Sequence, residues 1–150
     1  MKLATIGYER ATQPAVIQRL KDAGVEVLID VRAIAASRRA GFSKTVLAAS
    51  LHEAGIAYVH LRALGTPKAG RDAARKGRVA EMHKIFEAHM AEPGAQMELA
   101  KATEIARDQK AALLCYEAEA AVCHRAIVAN RICAAIGCEI ENLEVPLPDA

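Results

Sequence analysis

The run VEVLIDV at 25–31 restricts the possible folds more than any other stretch of the chain. It is apolar at nearly every position and rich in β-branched side chains, whereas a strand with one wet face would alternate between apolar and polar. A strand of this kind belongs in a sheet covered on both sides by helices.

The flanking sequence supplies those helices. LATIG at 3–7 reads as a strand, and from about Thr12 the residues Val16, Ile17, Leu20 and Ala23 share one helical face that Gly24 closes. Ser43 has the chemistry of a cap for the next helix, whose stripe is Val46, Leu47, Ser50, Leu51 and Ala54, with Gly55 at its end. AYVHL at 57–61 is a third strand, and GTPKAGR at 65–71 reads as a basic loop. Two helices are expected at about 72–91 and 95–109, broken at Pro93-Gly94, before a strand AALLCY at 111–116. A last helix over 119–136 carries Val122, Ala126, Ala129, Cys133 and Ile136 along one stripe and ends at Gly137. A short strand near 139–145 completes the order. With no repeat and no linker, the 150 residues predict a single α/β domain over 1–150. Its form is a Rossmann-like three-layer sandwich, a mostly parallel sheet of about four to five strands with helices on both faces and right-handed crossovers.

Parallel strands all point the same way, so the residues that follow each one gather at one rim, where open α/β folds bind ligands. Thr5, Gly7 and Tyr8 follow the first strand, Asp30 and Arg32 the second, His60, Gly65 and Thr66 the third, and Cys115 and Glu117 the fourth. Cys123, His124 and Arg125 open the last helix, where backbone N–H groups and the helix dipole favour a thiolate. Each has a plainer role available. Gly7 suits a tight turn, Asp30 suits bracing of Arg32, His60 suits a structural hydrogen bond, and Cys115 suits a small buried apolar side chain.

The N-terminus MKLATIGYER lacks the pattern of an export signal and no 18-residue apolar run occurs, so a cytoplasmic protein without membrane association is expected. In that compartment the four cysteines should be thiols or metal ligands in preference to disulfides, with Cys133 in the core and Cys138 making an apolar contact after the helix cap.

Three kinds of function fit these residues. The first is an enzyme in which Cys115 or Cys123 is the nucleophile, Glu117 or Asp30 handles protons, and Arg32 and Arg125 hold an anionic, phosphate- or nucleotide-bearing substrate with Thr5, Gly7, Tyr8 and His124. The cysteine-phosphatase and rhodanese spacing, Cys five residues before Arg, is absent. A metal-binding domain with Cys, His and Glu ligands is a second, but no C-x-x-C or H-x-x-x-H occurs, so no metal or other cofactor is expected. The third is a nucleic-acid-binding module. Residues 32–84 hold eleven Lys and Arg against three Asp and Glu, among them Arg38, Arg39, Lys44, Lys68, Arg71, Arg75, Lys76 and Arg78. With two Phe, three Tyr and no Trp, such binding would rest on phosphate contacts and fall steeply with salt.

Taken together, T-I-G-Y-E at 5–9, D-V-R at 30–32, S-R-R-A-G-F-S-K at 37–44, G-I-A-Y-V-H at 55–60, L-G at 64–65, and L-C-Y-E with C-H-R at 114–125 resemble the bacterial family catalogued as domain of unknown function 488. The specific part is C-x-E paired with C-H-R. The resemblance implies an α/β fold and suggests an enzyme. It assigns the signature positions to Thr5, Gly7, Asp30, Arg32, Cys115, Glu117, Cys123, His124 and Arg125, with Ala40 standing where a proline is expected.

Overall fold

A computed structural model describes residues 1–148. Five strands form one sheet: β1 (Lys2–Gly7), β2 (Val27–Asp30), β3 (Ala57–His60), β4 (Ala111–Cys115) and β5 (Glu139–Leu143). Every neighbouring pair is parallel, in the order β3-β2-β4-β1-β5. Six helices accompany them: α1 (Gln13–Asp22), α2 (Lys44–Glu53), α3 (Lys68–Arg75), α4 (Val79–Met90), α5 (Pro93–Asp108) and α6 (His124–Ile136). Among the described residues no helix is long and apolar enough to cross a membrane.

Alternate side chains of each strand point to opposite faces, and the buried residues divide accordingly. Val27 and Ile29 of β2, with Ala111, Leu113 and Cys115 of β4, pack against Met82 and Phe86 of α4, Ala102 of α5 and Val128 and Ile132 of α6. Leu28, Ala112 and Leu114 face the other way, against Val16 and Leu20 of α1 and Leu47 and Leu51 of α2. The chain is therefore a three-layer α/β sandwich, and truncating a central side chain such as Leu28 or Leu113 to Ala should cost about 2–5 kcal/mol.

Three local expectations are corrected. GTPKAGR is not all loop, and the helix expected at about 72–91 is two, because α3 begins at Lys68 and ends at Arg75 and α4 starts at Val79 after Gly77 at φ 75°. Pro93-Gly94 does not end a helix but opens α5, since proline at the first helical position loses only a donor that would have no partner there. The last helix starts at His124 rather than 119, after a 3₁₀ turn at Ala120–Val122, and its buried face runs through Arg125, Val128, Ala129, Ile132 and Cys133.

A fourth correction concerns the cysteines. Cys133 and Cys138 are joined in a disulfide across the α6–β5 turn, where free thiols were expected. Gly137, at φ 74°, reverses the chain between them and brings their Cα atoms to 4.5 Å.

Candidate functional site

Because β4 lies between β1 and β2, its carboxyl end is flanked by both of theirs. Backbone hydrogen bonds hold the three ends together: Tyr8 N donates to Cys115 O, Glu9 N to Tyr116 O and Val31 N to Leu114 O. A cleft of about 440 Å³ opens above them. Its walls come from Tyr8 and Glu9 after β1, from Arg32, Ala33 and Ile34 after β2, and from Cys115, Tyr116 and Glu117 after β4. Thr66 and the α3 residues Arg71, Ala74 and Arg75 close one side, with Met82 and His124 beneath.

On the α4–α6 side of the sheet end, four chemically active side chains meet. The Cys115 thiol donates to Glu117 Oε2 at 3.4 Å. Its Sγ also lies 3.6 Å from His124 Nδ1 and 4.0 Å from Nε2, which places the sulfur over the imidazole ring. Cys123 Sγ lies 3.8 Å from the same Nδ1. Nε2 of His124 is 2.8 Å from Val31 O, and since a carbonyl only accepts, Nε2 carries a proton. That bond and contact with the Phe86 ring fix the imidazole. Cys115 reaches the cleft wall at 5% exposure, whereas Cys123, at 1%, lies behind it as the N-cap of α6.

The charges in this cluster are interdependent. Burial pushes the Cys115 thiol well above its usual range, and the neighbouring Cys123 and Glu117 add to the shift. Burial opposes ionisation of Cys123 too, but the adjacent Cys115 thiol and the positive charges of His124 and Arg125 outweigh it, holding this thiol well below its usual range. Burial works against protonation of His124, yet the facing Cys123 thiolate raises its pKa. Burial and the charge on Cys123 push the Glu117 carboxyl up to about 7.

A second cluster occupies the opposite face of the sheet. The fully buried Asp30 carboxylate accepts from Arg32 Nε at 2.9 Å and Nη2 at 2.7 Å, from the Arg32 backbone N–H at 3.1 Å and from the Tyr58 hydroxyl at 2.5 Å. Arg32 Nη1 donates to Tyr8 Oη at 3.1 Å and to Phe42 O at 2.7 Å. Tyr8 stacks on Phe42 with ring centroids 4.3 Å apart. Both carboxylate oxygens and the guanidinium are thus engaged in tying the loop ending at Phe42 to the sheet. Tyr58 did not stand out in the sequence. Its one signal is the parallel register, which pairs Asp30 with His60 and so puts Tyr58, two residues earlier, on the Asp30 face.

The remaining candidates make contacts around the cleft. Thr5 is buried in β1 and donates to Asn142 Oδ1 on β5. A Cβ on Gly7 would sit 1.8 Å from Glu117 O, so the missing side chain makes room for the Glu117 turn. Arg125 donates through Nη1 to Glu117 O and through Nη2 to Ala118 O, while Glu9 accepts from Ala118 N. His60 donates from Nε2 to Arg32 O. Arg71 and Arg75, whose basic stretch Thr66–Arg78 the sequence already offers for holding an anionic substrate near the rim, stand at the cleft edge; Arg71 Nη1 also meets Thr66 O, and Arg75 pairs with Asp72.

The family model described as Domain of unknown function DUF488 matches residues 12–132, most of the chain and both halves of the C-x-E and C-H-R pattern. The chain belongs to this family. No curated protein and no solved structure matches it.

Proposed function

We propose that this member of the DUF488 family is a thiol-dependent enzyme that acts on a small anionic substrate in the cleft above β1, β2 and β4. The observation that carries this reading is the place of Cys115. Of the two free thiols it alone reaches the cleft, and it does so within 3.4 Å of a carboxylate able to take its proton. In the attack, Cys115 Sγ forms a bond to an electrophilic atom of the substrate while its proton passes to Glu117, which can return it to the leaving group. Cys123 and His124 hold the compensating charges behind the nucleophile.

Recognition of the anion falls to Arg71 and Arg75. Arg32 and Arg125, also offered for this task from the sequence, have their guanidiniums bound to Asp30 and to the Glu117 and Ala118 carbonyls. Alkylation tests both halves of the reading without a known substrate. Cys115 of the folded, reduced, metal-free protein should react, and anionic iodoacetate should gain on neutral iodoacetamide relative to a free thiol. A Cys115 inert to both reagents would remove the basis for it.

A further inference from the structure

The same cluster carries the donor set of a soft-metal site. We propose that Cys115 Sγ, Cys123 Sγ and His124 Nδ1 bind a thiophilic divalent cation of the Zn²⁺ type, with a fourth coordination position open to the cleft. The inference rests on the reading of this cluster as the functional centre, and its consequence is regulatory, because a bound cation would hold the sulfur lone pairs that the thiol chemistry needs.

Three observations support it. The three donor atoms all lie within 4.8 Å of one another and all three residues are buried. With Nε2–H given to Val31 O, the ring nitrogen left for a metal is Nδ1, which lies 3.6 and 3.8 Å from the two sulfurs, and a backbone carbonyl on the far nitrogen is the usual orienting partner of a metal-bound imidazole. The spacing is also close: tetrahedral zinc with Zn–S of about 2.3 Å and Zn–N of about 2.0–2.1 Å sets S···N at roughly 3.6 Å, and the two sulfurs stand at 3.6 and 3.8 Å from Nδ1. Since Cys115 lies over the ring, binding would tilt the imidazole toward it while the bond to Val31 persists.

Two thiolates and an imidazole select soft or borderline ions over Mg²⁺ and Ca²⁺. They neutralise a divalent charge in a buried place where a second free thiolate is opposed. Three protein ligands with one open position is the pattern of a reactive zinc site, unlike the closed four-ligand structural kind. The spacing C-x₇-C-H does not announce a metal site. The ligands meet because β4 ends beside the start of α6.

The test uses the metals themselves. Protein stripped with a chelator under a non-chelating reductant is titrated with Co²⁺. One equivalent should produce thiolate-to-cobalt charge-transfer absorption with tetrahedral d–d bands, and one equivalent of Zn²⁺ should abolish both. Zn²⁺ should also protect Cys115 of the wild-type protein from iodoacetamide, a measurement that needs no variant to fold. Cys115→Ser and Cys123→Ser should each lose at least half of the charge-transfer intensity, whereas Cys133→Ser/Cys138→Ser should keep all of it. Occupancy should fall as the pH is lowered, because ligand protons compete with the ion. An octahedral spectrum in the wild type, or bands that survive in both Cys115→Ser and Cys123→Ser, would overturn the inference. The two readings fail separately: metal-free Cys115 that labels without any cobalt band removes only the metal, and a cobalt band with metal-free Cys115 inert removes only the nucleophile.

Discussion

The carbonyl oxygen of Glu117 occupies the space where a Cβ of Gly7 would be, 1.8 Å from that ideal position. The end of β1 and the turn after β4 can therefore pack together only if residue 7 has no side chain, and that turn sets the carboxylate beside Cys115. Gly7→Ala should force the Glu117 turn outward at a cost of about 1–3 kcal/mol or more, read as a lower midpoint in urea unfolding. Alkylation of Cys115 in the folded variant should change as well. A Gly7→Ala protein with unaltered stability and unaltered labelling would show that the turn is not held this way.

The Asp30–Arg32 pair invites a different variant. Arg32→Met leaves a fully buried carboxylate with only the Tyr58 hydroxyl and a backbone N–H as partners, and breaking one side of such a pair costs about 3–5 kcal/mol. Tyr58→Phe removes one hydrogen bond to a charged group and should cost about 1.5–3 kcal/mol. Chemical denaturation of the two variants checks the order. If Arg32→Met proved the milder, the buried pair would not be the brace the geometry describes.

Reduction of Cys133–Cys138 should have a small effect confined to stability. A loop spanning a sequence separation of 5 limits the entropic contribution to roughly 2 kcal/mol. The Cys133→Ser/Cys138→Ser protein should melt a few degrees lower and label at Cys115 at the wild-type rate. A change in that rate would mean that the α6–β5 turn communicates with the cleft.

The strand order along the chain was legible because a parallel strand buried on both faces reads as a continuous apolar run, as VLID and AALLC do. Helix α3 was not, because Pro67 and Gly70 look like loop residues. Gly70 is in fact inside the helix, where a Cβ would come within 2.4 Å of Thr66 Cγ2, so its glycine serves close packing. For the site, the sequence indicates which segments reach the rim but not the direction of each side chain. Arg32 and Arg125 read as free cations, since nothing local reveals that their partners are Asp30 and two backbone carbonyls. His124 depends on Val31, 93 residues away, which no spacing rule connects. The disulfide likewise requires the reversal at Gly137 to be seen in space.

Charge at the cleft edge makes a quantitative prediction. Exposed charge interactions are worth about 0.2–1 kcal/mol each, so Arg71→Ala/Arg75→Ala should reduce the preference of Cys115 for iodoacetate over iodoacetamide by roughly twofold to thirtyfold. The rate with neutral iodoacetamide should change little. An unaltered ratio would leave these arginines as surface and require another source of anion recognition.

The most direct measurement of the thiol assignment is a time course of iodoacetamide labelling of the folded, reduced, metal-free protein, resolved by peptide mass for each cysteine. Cys115 should be modified first and Cys123 only slowly, because one reaches the cleft and the other lies behind it. Glu117→Gln, which keeps the shape but cannot take the proton, should remove from the pH profile of Cys115 labelling the step that the Glu117 carboxyl, pushed up to about 7, gives the wild type. The opposite result, with Cys115 silent until denaturant is added or Cys123 modified ahead of it, would contradict the assignment of Cys115 as the nucleophile.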